Sequence, residues 1–400
     1  MLLIHNAQIV CGAAPPLPTQ MLIDESHIEA IGSPETVPAP FGTEEVDAGG
    51  RWVLPGFVEC HIHGAAGHSF NDAEAEGIRE ICRARAAHGT TCLAPTMWSR
   101  SEEELLEAVR TVAQVRREPP VGARIAGIHL EGPYLSPQFA GAVRPDNIRE
   151  AGLEELSKLW EASDHSLRVV TLAPEVRGAM HAIHWLHQQG ITVAVGHSGA
   201  NFEETRKAIA WGARVATHLF NSSPALHHRH LNVTAALLTD GRITAEVVCD
   251  GLHLAPSMVR LVYQVKRTAN TAIVTNASFV SGLPNGVYER DGYLTVLSHG
   301  EVRQGGPEGV LAGTVLTMEV ALRNMMEYAD VTLSQASAMA SATPAKILGE
   351  LGRTGRISAG READLVILDH DGSVWATLVG GRFVYAKEGE LRRRVGLGEW

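Results

Sequence analysis

Histidines and carboxylates that could together hold a metal ion recur along the chain, which has 400 residues and 19 histidines. His61 and His63 are two residues apart, and residues at that spacing in an extended segment point to the same side. Their imidazoles can therefore face one ion. Further candidates lie in short motifs: Glu131 in His-Leu-Glu-Gly-Pro, His197 in Gly-His-Ser, His218 in Thr-His-Leu-Phe-Asn and His253 in Asp-Gly-Leu-His.

Imidazole and carboxylate ligands together indicate a borderline divalent metal. Zinc suits them best, with iron, cobalt and manganese as alternatives, and the pattern leaves open whether one ion or two are bound. A metal of this kind brings the pKa of a bound water molecule near neutrality and so makes a nucleophile. Each histidine alone would equally fit a structural role, but their occurrence together predicts hydrolysis assisted by a metal.

The middle of the chain must position these motifs, and it alternates between two kinds of segment. Helix-like stretches separate the apolar β-type runs, and one of them begins with a capping box, Ser101 and Glu104. The β-type runs are Trp52–Val58, Thr90–Ala94, Arg124–His129, Arg168–Leu172, Thr192–Val195, Val215–His218, Thr244–Val248 and Thr271–Thr275. This alternation predicts a (β/α)8 TIM barrel with its site at the carboxyl ends of the strands. An open doubly wound sheet is the alternative, but no Gly-x-Gly-x-x-Gly follows the first strand.

Both ends of the chain have short apolar runs separated by Gly, Pro and Asp, which indicate β structure. We therefore expect residues 1–52 and 355–400 to form one small β-sandwich domain. Residues 53–354 form the barrel in this prediction.

The composition excludes several classes of function. Charged residues make up 20% of the chain and hydrophobic residues 45%, as in a soluble globular protein. The net charge of −11 disfavours nucleic-acid or membrane-surface binding, although local cations could still hold a small anionic ligand. No apolar run is long enough for a membrane span, and the five cysteines are scattered without a Cys-x-x-Cys pair. These features predict a cytoplasmic protein.

The motifs together resemble those of a known family. Residues 55–64, Pro-Gly-Phe-Val-Glu-Cys-His-Ile-His-Gly, resemble the opening motif of the amidohydrolase superfamily. Four further segments narrow the resemblance to the N-acetylglucosamine-6-phosphate deacetylases: His129–Pro133, Gly196–Ser198, Thr217–Asn221 and Leu311–Gly313. The resemblance covers nearly the whole chain.

This resemblance implies a barrel of the amidohydrolase type that hydrolyses the acetamide of an N-acetylamino sugar 6-phosphate. N-acetylglucosamine 6-phosphate would give glucosamine 6-phosphate and acetate. Glu131, His197 and His218 match the main metal ligands of the family. His61 and His63 match a second metal position that only some members keep.

The resemblance also implies the substrate contacts. Asn221, Ser222 and His253 match residues that contact the sugar and its acetamide, and His253 could stabilise the oxyanion. Arg229 matches a phosphate contact that crosses the interface of a homodimer. The other positions expected to bind substrate are Ala142, Val143, His228, Asp250, Leu311, Ala312 and Gly313.

One position departs from the family at the catalytic step. Asn276 stands where the family has an aspartate that takes a proton from the attacking water and passes it to the leaving amine. A carboxamide cannot do this, and general acid–base assistance is typically worth ~10²–10⁴-fold in rate. We therefore expect low activity. The asparagine is either an engineered replacement, which retention of every metal ligand favours, or a natural departure.

A second departure concerns the sugar. Val143 stands where the family has a histidine that contacts it, and Arg144 beside it is either an anion contact or a surface residue. A different N-acyl amino sugar or N-acyl compound is therefore an alternative substrate, and a sugar-phosphate binder without catalysis is an alternative function. Deacylation of D-amino acids or opening of cyclic amides is disfavoured, because Glu131 stands at its strand end and no lysine lies at the strand ends.

Overall fold

The structure, a computed structural model, describes residues 1–11, 17–290 and 292–387. The last part of the predicted terminal domain, residues 388–400, lies outside the described residues.

Eight parallel strands form a barrel, which confirms the predicted fold. Barrel strands 1 to 8 are Phe57–Ile62, Thr90–Trp98, Ile128–Glu131, Leu167–Leu172, Thr192–Val195, Ala213–Ala216, Thr244–Val248 and Thr271–Val274, and Arg124–Ile125 adds a short strand before strand 3. Each pairs with the next in chain order. Strands 8 and 1 meet just beyond their ends, where Asn276 N donates to the carbonyl oxygen of His61 (3.1 Å) and His63 N donates to that of Ala277 (2.9 Å). The barrel therefore closes at residues of the predicted site.

Ten α-helices and four short 3₁₀ helices are found in the described residues. The α-helices are α1 Ala75–Ala86, α2 Glu102–Arg116, α3 Leu153–Ala162, α4 Ala179–Gln188, α5 Phe202–Trp211, α6 Val233–Thr239, α7 Pro256–Lys266, α8 Met318–Ala329, α9 Leu333–Ala340 and α10 Ala342–Ile347. The 3₁₀ helices are Phe70–Asp72, Pro137–Phe139, Pro145–Asn147 and Thr268–Asn270. Helix α2 shows the common pattern: Ser101 and Glu104 form the predicted capping box, and the helix buries Leu105, Val109 and Val112 in the barrel core.

The two chain ends form one continuous sheet with its own core. Its strands are Leu2–Ile9, Leu17–Asp24, His27–Gly32, Glu44–Asp47, Trp52–Pro55, Leu365–Leu368, Val374–Val379 and Arg382–Ala386. His27 on one edge strand bridges to Glu362, just before Leu365, so the sheet curls on itself. The sandwich expected from the sequence thus takes the form of a single curled sheet, whose inner face buries Ile4, Val53 and Ile367 among others.

The prediction of one strand over Trp52–Val58 is wrong. Trp52–Pro55 pairs with Leu365–Leu368 in the terminal sheet, whereas Phe57 begins barrel strand 1. Gly56 alone lies between them. Its N–H donates to the carbonyl oxygen of Asp364 (2.9 Å), and a Cβ there would come within 2.2 Å of the Thr91 side chain. We therefore propose that the domain boundary lies at Gly56.

A small antiparallel sheet follows barrel strand 8 and was not predicted. Its strands are Gly286–Arg290, Tyr293–Ser298, Glu301–Gln304 and Val310–Leu311. We call it the inserted sheet. A short hairpin follows barrel strand 1, and its two antiparallel strands, Gly64–Ala65 and His68–Ser69, have two residues each.

A buried ion pair links α1 to barrel strand 1 near the point where strands 8 and 1 meet. Arg85 on α1 donates to both carboxylate oxygens of Glu59 on strand 1, at 2.9 and 3.2 Å. Thr90 and Thr275 donate to the same carboxylate from strand 2 and from just beyond strand 8. Because every partner is satisfied, this charge pair can be buried, and it fixes the residue directly before Asn276.

Among the helices of the described ranges, none combines the length and the apolar character that a membrane crossing requires.

Candidate metal centre and substrate pocket

Five buried side chains from four barrel strands meet at one end of the barrel. Glu131 is the last residue of strand 3, His61 lies in strand 1, and His63 directly follows it. His197 and His218 come two residues after strands 5 and 6. We call these five residues the metal floor, since all are buried and all surround the Glu131 carboxylate.

The distances within the metal floor are short. Oε1 of Glu131 lies 3.2 Å from Nε2 of His197 and 3.1 Å from Nε2 of His218. Nε2 of His61 lies 3.4 Å from the same oxygen, and Nε2 of His63 lies 3.5 Å from Oε2. Four imidazole nitrogens therefore face one carboxylate.

The backbone takes an unusual conformation where strands 5, 6 and 8 end. His197, His218 and Asn276 have φ angles of 49°, 26° and 50°. Residues other than glycine rarely adopt this left-handed region, and each instance costs on the order of 1–3 kcal/mol. Such conformations concentrate at functional sites, where surrounding contacts hold them in place.

Hydrogen bonds at Nδ1 fix the tautomers of three of the histidines. Nδ1 of His197 donates to the carbonyl oxygen of Phe139 (2.9 Å), and Nδ1 of His63 donates to that of Thr96 (3.1 Å). Nδ1 of His61 lies 2.8 Å from Oε2 of Glu246. Because carbonyls only accept, and a carboxylate accepts here, the neutral imidazoles carry their proton on Nδ1. In the neutral form, which metal binding requires, their Nε2 atoms carry the lone pairs and face Glu131.

This arrangement fits a bound divalent ion. Nε2 of His197 lies 3.1 Å from Nε2 of His218, and both lie within 3.2 Å of Oε1 of Glu131, so three ligand atoms converge as they would around one cation. Two overlapping groups have ligand atoms close enough for an ion: Glu131 with His197 and His218, and Glu131 with His61 and His63. The floor thus fits one ion or two that share Glu131.

A third close group, His61, His129 and Glu246, is less suited to a metal. Both nitrogens of His129 are engaged, Nδ1 with the carbonyl oxygen of Cys60 (2.9 Å) and Nε2 with the hydroxyl of Thr171 (2.8 Å). Burial lowers the pKa of His129 to about 4, so it stays neutral. The group is therefore a hydrogen-bond network beneath the metal floor.

The electrostatics of the floor favour positive charge at its centre. Burial alone would raise the pKa of Glu131, but His197 and His61 outweigh it and hold the pKa of that carboxyl well below its ordinary value. Burial likewise opposes charge on His61, yet Glu246 and Glu131 raise its pKa to about 10. Burial lowers the pKa of His63 to about 3. The carboxylates thus stabilise one cation here, which a metal ion would supply in place of a proton.

A cavity of about 290 Å³ opens onto the metal floor. Many residues that the sequence predicted as substrate contacts line it, although their contact with substrate stays a prediction: Ala142, Val143, Asn221, Ser222, His253, Asn276, Leu311, Ala312 and Gly313. Oδ1 of Asn276 is buried and has no partner among the described residues, so it is available to a bound molecule.

Three predicted substrate residues are not among the described residues that line this cavity. His228 and Arg229 are exposed on the loop before α6. Asp250 contacts His253, which lines the cavity, rather than the cavity itself. Its Oδ2 lies 2.6 Å from Nδ1 of His253, and its Oδ1 accepts the backbone N–H groups of Leu252 and His253. Burial opposes its charge, but the bond from His253 lowers the pKa of Asp250. Asp250 therefore orients His253 toward the cavity.

Sequence reasoning missed one side of the cavity. It did not single out Trp98, Arg100, Asn147, Ser278, Phe279, Arg290, Tyr293, Thr295, Gln304 and Val310, which all line it. Several belong to the inserted sheet. An available signal was the dipeptide Asp291-Gly292 between stretches of alternating polarity, which is typical of a β-hairpin.

Comparison with known proteins agrees with this fold. The profile of the amidohydrolase family matches residues 52–384. The chain belongs to the amidohydrolase family, whose enzymes are metal-dependent hydrolases.

Individual relatives narrow the comparison. The chain is 35% identical to the N-acetylgalactosamine-6-phosphate deacetylase of Escherichia coli O157:H7, over 89% of this chain and 93% of the relative. It is 32% identical to the N-acetylglucosamine-6-phosphate deacetylase of Lysinibacillus sphaericus, over 85% and 87% of the two chains. The structure of a mutant N-acetyl-D-glucosamine-6-phosphate deacetylase from Mycobacterium smegmatis, in complex with N-acetyl-D-glucosamine 6-phosphate, matches with a TM-score of 0.89 and 33% identity, over 96% and 99% of the chains.

Proposed function

We propose that this protein is a metal-dependent deacetylase that hydrolyses the acetamide of an N-acetylamino sugar 6-phosphate. The observation that carries the proposal is the meeting of four histidine Nε2 atoms at the Glu131 carboxylate, on the floor of a cavity also lined by His253 and Asn276. Relatives named as deacetylases of two such sugars support the substrate class.

The metal floor would hold the ion, with zinc the best match to its ligands. Glu131, His197 and His218 form one position, and His61 and His63 with Glu131 form the second. A divalent metal in such a site supplies Lewis acidity toward a carbonyl and toward water. Asp250 orients His253 by accepting its Nδ1–H, and the imidazolium form of His253 would then donate from Nε2 to the oxygen that becomes negative as the amide is attacked.

Asn276 sets the limit on catalysis by this chain. Its backbone N–H bonds to His61 and its carbonyl oxygen accepts the N–H of Thr314 (2.9 Å), so its side chain is held at the cavity where strands 8 and 1 meet. A carboxamide binds by hydrogen bonds but cannot accept and return a proton. We therefore expect the chain as it stands to bind substrate and to hydrolyse it slowly.

The test is acetate release by zinc-loaded protein from N-acetylglucosamine 6-phosphate and N-acetylgalactosamine 6-phosphate, before and after Asn276→Asp. We expect the substitution to raise the rate with one of the two sugars by ~10²–10⁴-fold, the usual worth of a general acid–base group. The sugar that gains identifies the substrate. Equal rates for the two proteins would contradict the role given to position 276.

The alternative is a sugar-phosphate binder without catalysis, which the buried carboxamide of Asn276 favours. The same experiment separates the two functions. A binder holds the phosphorylated sugar but releases no acetate even after Asn276→Asp, whereas the enzyme gains activity.

Two further parts of the proposal concern the surroundings of the chain. All five cysteines are free, four of them buried, which supports a reducing compartment such as the cytoplasm. A homodimer in which Arg229 reaches the neighbouring pocket stays a prediction. Size-exclusion chromatography with light scattering measures the oligomeric state.

A further inference from the structure

Three guanidinium groups line the same cavity as the metal floor. They belong to Arg100, Arg144 and Arg290, and we call them the arginine wall. Among the described residues that line the cavity, the only carboxylate is Glu131, which belongs to the floor. Glu104 interacts electrostatically with Arg100 and Arg144, and Asp72 pairs with Arg290, but neither carboxylate lines the cavity. The wall is therefore the cationic side of the pocket, in a chain of net charge −11.

Arg144 is held in place from two directions. Its guanidinium carbon lies 4.6 Å from the ring centroid of Tyr293 on the inserted sheet, a cation–π contact. On the other side, the loop that carries it is tied to the metal floor, because the carbonyl oxygen of Phe139 accepts Nδ1–H of His197. Gly141 keeps this loop close: a Cβ there would lie 2.8 Å from the Ser222 hydroxyl and 3.3 Å from Cε1 of His197.

The other two members of the wall differ in their contacts. Arg290 donates to the carboxylate of Asp72 and to the carbonyl oxygen of Gly67, and its guanidinium lies 4.5 Å from the ring centroid of Phe279. Its charge is therefore partly compensated. The guanidinium carbon of Arg100 lies 5.8 Å from the ring centroid of Trp98. Both add positive charge to the cavity, but Arg144 stands beside the position where the sequence lost a polar contact.

That position is Val143. It lines the cavity at the position where the resemblance implies a histidine, and its side chain offers no hydrogen bond. Arg229, the expected phosphate contact, is exposed and does not line the cavity of its own chain. Such an absence is also what a contact across a homodimer interface would give, whereas Arg144, the residue after Val143, places a guanidinium in the cavity of the same chain.

We propose that the phosphate group of the sugar is bound within the same subunit by Arg144, with Arg100 and Arg290 completing the positive wall. A planar guanidinium suits a phosphate, because it can donate two parallel hydrogen bonds to two oxygens. The inference rests on the proposed function, since it names the residue that would recognise the phosphate of that substrate. It also makes each subunit sufficient for binding.

The test is calorimetric titration of the zinc-loaded protein with glucosamine 6-phosphate, a product, and with glucosamine, its analogue without the phosphate. The binding of neither compound depends on turnover. In Arg144→Met we expect the affinity for glucosamine 6-phosphate to fall by about 10- to 100-fold, as for the loss of a charge-assisted bidentate contact. The affinity for glucosamine should stay the same. Arg144→Lys should lie between the two, because it keeps the charge and loses the planar fork.

The matched control is Arg177→Met, which removes an exposed arginine outside the cavity. The competing hypothesis, that Arg229 of a neighbouring copy binds the phosphate, is tested by Arg229→Met. A large loss of phosphorylated-sugar binding in Arg229→Met with none in Arg144→Met would overturn the proposal in favour of a contact from a neighbouring copy. Unchanged binding in both variants would overturn it as well.

The outcomes also separate this inference from the proposed function. If the parent protein prefers glucosamine 6-phosphate and Arg144→Met keeps that preference, only the inference fails. If the parent binds both sugars equally, the phosphorylated substrate of the proposed function fails with it. Thermal unfolding and bound zinc in each variant show whether the fold and the metal floor are intact.

Discussion

The metal floor and the arginine wall face one cavity but are built differently. The floor residues are buried, come from the ends of barrel strands, and are fixed by hydrogen bonds to Phe139, Thr96 and Glu246. The wall residues are half-buried and lie on loops or the inserted sheet, where rings hold their guanidinium groups. The chemistry of the site is therefore fixed by the barrel. In our proposal the substrate is recognised by loops and by the inserted sheet, which can change in sequence without disturbing the metal floor.

The largest effect is expected from breaking the floor at its centre. Glu131→Gln removes the negative charge that lies within 3.5 Å of all four histidine Nε2 atoms, so both metal positions should lose their ion. Zinc per chain, measured by inductively coupled plasma mass spectrometry after dialysis, checks this. Glu103→Gln, at an exposed carboxylate of α2, is the matched control. A full complement of zinc in Glu131→Gln would refute the metal floor.

A smaller effect should separate the two positions within the floor. Glu246 accepts the Nδ1 proton of His61, and such outer partners typically contribute 10–100-fold to metal affinity. Glu246→Gln keeps the shape but removes the charge. We expect the affinity of the position made by His61 and His63 to fall by about 10-fold, the lower end of that range. The other position should weaken less, because Glu246 contacts it only through the backbone N–H of His218, which a glutamine oxygen can still accept.

Competition with a chelating dye measures the two affinities. Glu150→Gln, at an exposed carboxylate, serves as the reference. The prediction is wrong if both positions weaken equally or if neither weakens.

The smallest effect is expected in the wall. Tyr293→Ala removes the ring beneath Arg144, and a cation–π contact of this kind is worth about 0.5–1 kcal/mol, or roughly two- to fivefold in affinity. Titration with glucosamine 6-phosphate should show that loss, while bound zinc stays unchanged. Tyr293→Phe keeps the ring and should bind like the parent. A fall in bound zinc would show that wall and floor are not independent, and an equal loss in Tyr293→Phe would assign the effect to the hydroxyl.

The difference between the metal floor and the arginine wall also explains which parts of the site could be predicted from the sequence. His61 and His63 share a side because they are two residues apart in a strand, and the other floor residues follow strands that apolar runs mark clearly. Local patterns therefore predicted the floor. The tautomers that aim the Nε2 lone pairs depend on Thr96, Phe139 and Glu246, which only the folded barrel brings near.

The wall could not be predicted in the same way. The sequence allows Arg144 to be either an anion contact or a surface residue, because nothing near it in the chain shows that Tyr293 packs against it. The inserted sheet is short and partly polar, so its strands gave a weak pattern. Arg229 was expected from the resemblance alone, and its reach toward a pocket depends on a second chain.

Gly56 has a consequence for how substrate enters. A single residue joins the terminal sheet to barrel strand 1, and it is bonded to Asp364 and packed against Thr91. A connection this short and this crowded leaves no hinge at this crossing, so we expect the terminal sheet and barrel strand 1 to move together. Opening and closing around a sugar must then come from the loops and the inserted sheet. We expect the terminal sheet to hold in place the strand that carries His61 and leads into His63.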